Sequence, residues 1–303
     1  MDIFLPVAGL SINMVLLAAL GALVGFLSGL LGVGGGFLLT PLLIMMGIDP
    51  VVAVGSGTNA IVGASASGSI AHLRAGHVDV RMGLLMLAGG VAGGGAGTLL
   101  VKSLRKAGNA DLVIILAYVI LLTIMGAAMF VGGLASQVKG EEDSGEPSWV
   151  YRALQRLPLR MTFPTSGIET SALAPLALGL FVGVLSAVMG VGGGFFLIPA
   201  MTFCLAMPMR VVVGTSLFQM LFTAASVTVL QAAVNDAVDV FLAVGLLLGS
   251  VVGAQLGARA AAGLKGNQLK IVLALLVLAL SVKMFNDLLL VPSHFLIDLR
   301  GRP

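Results

Sequence analysis

Charge is what this chain has least of. Asp, Glu, Lys and Arg supply 10% of its 303 residues, where a domain that meets water on every side carries about a quarter. A soluble multi-helix protein is therefore excluded. Cysteine is nearly absent as well: Cys204 stands alone, so there is no internal disulfide and no CxxC metal or redox site. The 13 acidic residues fall in loops, in a linker or at the ends of apolar runs, with Asp287 nearest to lying inside one. No Ser-His-Asp set, paired carboxylates or metal-ligand cluster stands together in any segment, so neither an enzyme nor a cofactor or metal is expected. The two GVGGG clusters are not nucleotide loops. Neither is followed by the Lys of a P-loop, and the last glycine of a GxGxxG pattern would fall at Phe37 and Phe195. The pI near 9.3 does not point to nucleic acid, because the bases sit in short turns, as at Arg74, Arg81, Lys102, Arg105, Lys106, Arg259, Lys265 and Lys270. That placement suits topology signals. The N-terminus lacks the basic region and cleavage site of a removable signal, and its first apolar run is read as a retained helix.

Apolar residues are abundant instead, at 58% of the chain, with a mean hydropathy of +1.12. The stretches 15–31, 81–101, 111–131, 173–189, 239–258 and 269–290 each approach the ~20 apolar residues that cross a hydrocarbon core. Unpaired backbone groups are not tolerated in lipid, so these are helices. The expected class is an all-α polytopic membrane protein of eight to ten crossings. Glycine, at 42 residues, suits helices that pack backbone to backbone.

The chain also repeats itself. GLLGVGGGFLLTPLL (29–43) recurs as AVMGVGGGFFLIPAM (187–201), offset by 158, and HVDVRMGLLMLAGGVAGGGAG (77–97) recurs as AVDVFLAVGLLLGSVVGAQLG (237–257), offset by 160. Each half reads as a long helix, a glycine cluster, a short apolar segment (37–47; 195–207), a Pro turn, a helix dotted with small polar residues (51–73; 210–232), a Gly-rich helix and a last apolar helix. This reading sets a first repeat at 11–133, a polar linker with an interfacial helix near Trp149 and Tyr151 at 134–172, a second repeat at 173–292 and a tail at 293–303. Five segments per half invert the second half relative to the first, as in many secondary transporters. With ten crossings the basic residues put both termini outside; with re-entrant short segments there are eight and the bias nearly vanishes.

The glycine clusters are the candidate site. Consecutive glycines at membrane depth unwind the backbone and admit a ligand with no Cβ in the way. A short helix starting there offers free N–H groups and a partial positive charge. The candidates are Gly32, Gly34, Gly35, Gly36 and Phe37 in the first half, and Gly190, Gly192, Gly193, Gly194 and Phe195 in the second. Pro41 and Pro199 are candidate helix breaks. Ser56, Thr58 and Asn59, with Thr215, Ser216 and Gln219 opposite them, could donate to an oxyanion; at offset 160 Asn59 falls on Gln219. The plainer alternative is that the glycines only let helices cross closely. The absence of a central carboxylate favours an anion over a cation or a proton relay. Lys283, inside an apolar run, is read as snorkelling toward the headgroups. His72 and His77, flanking a turn with Arg74, are the candidates for proton coupling. The expected partners are a small anion, the bilayer and a proton or sodium ion.

GFLSGLLGVGGGFLLTPLL, its echo GVLSAVMGVGGGFFLIPAM, AHLRAGHVDVRMGLL and VGTSLFQ together resemble the sulfite exporter TauE/SafE family of bacterial membrane permeases. The resemblance spans nearly the whole chain. It implies secondary transport of sulfite or an organosulfonate such as sulfoacetate across the inner membrane. A passive channel for anions or small solutes is the alternative function. The halves depart from each other at Val54-Gly55-Ser56-Gly57 against Val213-Gly214-Thr215-Ser216.

Overall fold

A computed structural model describes residues 2–31, 35–139, 158–205, 207–261 and 266–289. The interfacial helix expected near Trp149 and the tail at 293–303 lie outside the described residues. The chain divides into two units, Met1–Ala110 with Ser144–Gly263, and Asp111–Asp143 with Leu264–Pro303.

The first unit opens on a hairpin, β1 (Asp2–Leu5) and β2 (Leu10–Asn13), followed by α1 (Met14–Leu31), α2 (Gly36–Met45), α3 (Pro50–Arg74) and α4 (Val80–Lys106). After α5 (Ala110–Lys139) the same order returns: β3 (Arg160–Phe163), β4 (Ile168–Ser171), α6 (Leu173–Met189), α7 (Gly194–Leu205), α8 (Met209–Asn235), α9 (Val240–Ala261) and α10 (Gly266–Leu289). Local chemistry sets several of these bounds. Asp49 caps α3, its Oδ1 accepting from the amides of Val51 (2.9 Å) and Val52 (3.2 Å), and Pro50 takes the first position, where a missing N–H costs nothing. Among the described residues, four helices are long and apolar enough to cross a membrane, in α4, α5, α8 and α9. Leu84, Val91 and Leu99 of α4 and Val244, Leu248, Val252 and Leu256 of α9 stand exposed, an outer surface suited to lipid rather than to water.

Glycine decides how the helices meet. On α1, a Cβ added to Gly21, Gly25 or Gly29 would strike the backbone of Leu246, Ser250 or Ala254; on α9, Gly249, Gly253 and Gly257 lie in the same way against Ala18, Ala22 and Phe26. The pair α4 and α6 repeats the device, with Gly89 and Gly93 on Leu176 and Leu180, and Gly179 and Gly183 on Met86 and Gly90. Without Cβ atoms the backbones approach until dispersion is gained along the whole seam, the usual source of helix association in lipid.

The contact register also fixes direction. Residue numbers rise together along α1 and α9, along α3 and the segment that leads into α9 (Gly55 on Ala237 just before the helix, Gly63 on Val251 within it), along α4 and α6, and along α4 and α8 (Gly83 on Phe218, Gly90 on Thr223, Gly94 on Val227). Along α3 and α8 they run oppositely, His72 lying at Gly214 and Gly68 at Leu217. So α1, α3 and α9 point one way and α4, α6 and α8 the other. Helices that correspond between the halves therefore run in opposite directions, and each tight pair takes one helix from each half.

The hairpins fall on 2–13 and 160–171, 158 residues apart, each turning through a proline (Pro6, Pro164) and a glycine at φ +67 (Gly9, Gly167). The sequence reading places residues 160–171 in the polar linker; the structure makes them the counterpart of the N-terminal hairpin.

In the second unit, Thr123 of α5 and Ser281 of α10 share a hydrogen bond of 2.7 Å, and Gly126 admits Leu278. Lys283 pairs with Asp287 at 3.6 Å across one turn of α10, both half-exposed.

Candidate functional site

The two glycine clusters do interrupt the chain. α1 ends at Leu31 and α2 starts at Gly36; α6 ends at Met189 and α7 starts at Gly194. Gly32 and Gly34 lie outside the described residues. Gly35 (φ 65), Gly190 (φ 68), Gly192 (φ 68) and Gly193 (φ 81) hold left-handed backbone, a region that side chains with a Cβ rarely enter. At Gly193 the space is closed too, because a Cβ would run into Val182.

The breaks meet. A Cβ on Gly36 would lie 2.6 Å from the Gly190 carbonyl oxygen. The rings of Phe37 and Phe195, which correspond at offset 158, stack at 4.5 Å and 14°, and both are buried. Ile61 of α3 touches the Cβ positions of Gly36 and Gly192, and Met220 of α8 approaches the latter. Pro41 and Pro199 are not where the helices break: α2 and α7 run through them to Met45 and Leu205. The glycines relieve the backbone instead, because a left-handed residue ends a helix outright while a proline removes one bond of the ladder.

Most of the small polar candidates on α3 and α8 serve the scaffold. Ser56 Oγ accepts the amide of Asp239 at 2.9 Å, and Thr215 Oγ1 accepts the amide of Asp79 at 3.0 Å. Thr58 donates to the Val54 carbonyl at 2.6 Å and Ser216 to the Val213 carbonyl at 3.0 Å. Asn59 is half-buried. The matching roles of Ser56 and Thr215 align α3 with α8 at offset 159, the register that sets Val54-Gly55-Ser56 against Val213-Gly214-Thr215, and not at the 160 expected for Asn59. Gln219 falls on Ala60, not on Asn59, and Phe218 takes the place of Asn59. Gln219 is fully buried; its Nε2 donates to Thr223 Oγ1 at 2.8 Å while Oε1 has no partner.

The interior is not free of carboxylates either. Asp79 and Asp239 are buried, but every bond they make is an anchor. Asp239 Oδ1 caps α9 through the amides of Phe241 and Leu242, and Oδ2 accepts from Val7 and Ala8 in the first hairpin. Asp79 caps α4 through Met82 and accepts from the amide and hydroxyl of Ser166 in the second hairpin. These residues looked like loop acids in the sequence. The paired Val-Asp-Val motifs were the signal that marked them.

A small cavity sits beside the first break, lined by Ser28, Gly35, Ala60, Ala64 and Ser250 among others; its water-accessible part is about 10 Å³, room for about one water. Ser250 donates toward the Ala60 carbonyl at 3.0 Å. In the second half the corresponding positions hold Gln219, Thr223 and Gly90, and the Gln219 and Thr223 side chains lie against Gly90. Thr40 and Ser186 are further residues not singled out in the sequence. Both are fully buried with unpartnered hydroxyls, and a Cβ on Gly190 would lie 3.1 Å from Thr40 Oγ1. A lone Thr in the apolar run FLLTPLL was its only mark. His72 and His77 lie with ring centroids 6.0 Å apart, and His72 Nδ1 is buried and unpartnered.

Long lipid-suited helices, paired oppositely directed halves and broken helices meeting inside define a multi-pass membrane protein of the broken-helix, repeat-built class. The chain belongs to the sulfite exporter TauE/SafE family, whose model matches residues 17–284. It is 30% identical to a probable membrane transporter protein of Xylella fastidiosa (strain 9a5c) over 72% of this chain and 74% of the relative. A second relative from Xylella fastidiosa (strain Temecula1 / ATCC 700964) with the same description is 28% identical over 86% and 91%. The probable membrane transporter protein YunE of Bacillus subtilis (strain 168) is 25% identical over 68% and 73%. No solved structure matches the chain.

Proposed function

We propose that the protein is a secondary transporter that carries a small sulfur-containing anion, sulfite or an organosulfonate, across the bacterial inner membrane by alternating access. The observation that carries this reading is the meeting of the two glycine breaks at the Phe37–Phe195 stack. The α2 and α7 N-termini start at these breaks, and helix N-termini favour negative charge. The buried carboxylates, Asp79 and Asp239, are spent on backbone amides and so do not claim a cation. The family's description and the relatives' names support transport rather than catalysis. Rocking of one half against the other would expose the breaks to each side in turn, with Gly35, Gly36 and Gly190–Gly194 supplying the freedom. His72 and His77 are the groups available for proton coupling.

Radiolabelled sulfite and sulfoacetate counterflow in proteoliposomes tests this. Saturable exchange by the native protein, lost in Gly35→Leu and Gly193→Leu variants that still purify as folded protein, is the expected result. Linear flux without counterflow would make a passive channel the better description, and no flux of either anion would end the reading.

A further inference from the structure

Three fully buried polar side chains, each with one oxygen that has no hydrogen-bond partner, lie around the second glycine break. Thr40 Oγ1 faces Gly190. Ser186 closes the last turn of α6, its carbonyl accepting the Gly190 amide at 2.8 Å while its hydroxyl is unmet. Gln219 precedes Met220, which reaches to 3.4 Å from a Cβ on Gly192; its carboxamide lies against Gly90, which in turn packs on Gly183 of α6. The first break is furnished differently. The counterparts of Thr40 and Gln219 are Ile198 and Ala60, and only Ser28 repeats Ser186. Among the described residues the pseudo-symmetry of the scaffold thus fails at the breaks, with Thr40 and Gln219 at the second where Ile198 and Ala60 stand at the first.

We infer that the second break alone is the oxyanion subsite, with Thr40, Ser186 and Gln219 as its side-chain donors and the start of α7 as its backbone donor. This rests on the transporter reading and names the half of the molecule that recognises the anion. The Gln219 carboxamide has two orientations that place the same atoms. With Nε2 toward Thr223, the outward edge is a bare carbonyl. Turned over, Oε1 accepts from the Thr223 hydroxyl and Nε2 presents two N–H groups outward. An anion selects the second orientation, because only the N–H edge can donate to it. Three neutral donors match three oxygens of a sulfite or sulfonate group without placing a fixed charge in the membrane. A group kept unsatisfied for a ligand weakens the empty protein, so its apolar isostere should stabilise the fold while weakening binding.

The test measures sulfite affinity by ligand-induced thermal stabilisation in detergent, and sulfite counterflow in proteoliposomes. The variants are Thr40→Val, Ser186→Ala and Gln219→Leu, with Ser28→Ala and Ala60→Ser at the first break. Each second-break variant is expected to weaken sulfite binding about tenfold while the empty protein melts no lower than the native one. The first-break variants should stay within about twofold of native affinity. Equal losses at both breaks, or second-break variants that bind normally, would overturn the asymmetric subsite and leave the transporter reading standing. Failure of the native protein to bind or exchange sulfite would remove both.

Discussion

The two halves agree closely where they hold the fold and disagree where they meet the candidate ligand. Asp79 and Asp239 cap corresponding helices, anchor corresponding hairpins and take a hydroxyl on their own amides from Thr215 and Ser56. The glycine seams of α1 with α9 and of α4 with α6 match, except that Ala187 stands where the first half has Gly29. Around the breaks the correspondence lapses into Thr40 against Ile198 and Gln219 against Ala60. A duplicated scaffold has two places for every anchor and needs both, since each half is held by the other. A ligand that enters once has no such need, so polar groups can gather on one side.

The sharpest way to break the comparison is to fill the seams. Gly93→Leu and Gly253→Leu each drive side-chain atoms into the facing backbone, of Leu180 and Ala22. Each is expected to cost more than about 4 kcal/mol, seen as loss of monodisperse protein after detergent extraction. Gly95→Ala, with nothing within 4 Å, should stay within about 0.5 kcal/mol. Unequal losses at Gly93 and Gly253 would show that one seam dominates.

Removing the buried anchors comes next. Asp79→Ala and Asp239→Ala leave three and four donors unmet. Each should cost about 3 kcal/mol by melting temperature in one detergent. A near-neutral result at either site would mean that its hairpin is not held by the carboxylate. Ser56→Ala and Thr215→Val expose only the Asp amides and should each cost about 1–2 kcal/mol. The smallest loss from removing a hydrogen bond belongs to the second unit. Thr123→Val removes the bond to Ser281, and polar contacts between membrane helices average about 0.6 kcal/mol.

Helix positions were legible because each depends on local composition: runs expected at 15–31, 173–189 and 239–258 fold as 14–31, 173–189 and 240–261. The hairpins were not, since four-residue strands carry too little alternation to stand out and the shared Pro-x-x-Gly is short. Asn59 is set on Gln219 in the sequence because the two are alike in chemistry, whereas the pairing follows which hydroxyl reaches which Asp amide. Pro41 looked like a helix break because its lost bond is visible in the sequence; the relief offered by neighbouring left-handed glycines is not.

Composition and repetition by themselves determined a lipid-embedded helical protein, its duplication and the two glycine interruptions, because apolar length, charge scarcity and missing Cβ atoms act on the residues that carry them. Only the tertiary structure decided which polar groups are used up and which wait. Asp79 is satisfied by Ser166 and Asp239 by Val7 and Ala8, partners 87, 232 and 231 residues away, and whether Thr40 or Gln219 finds a partner depends on what the opposite half places beside it.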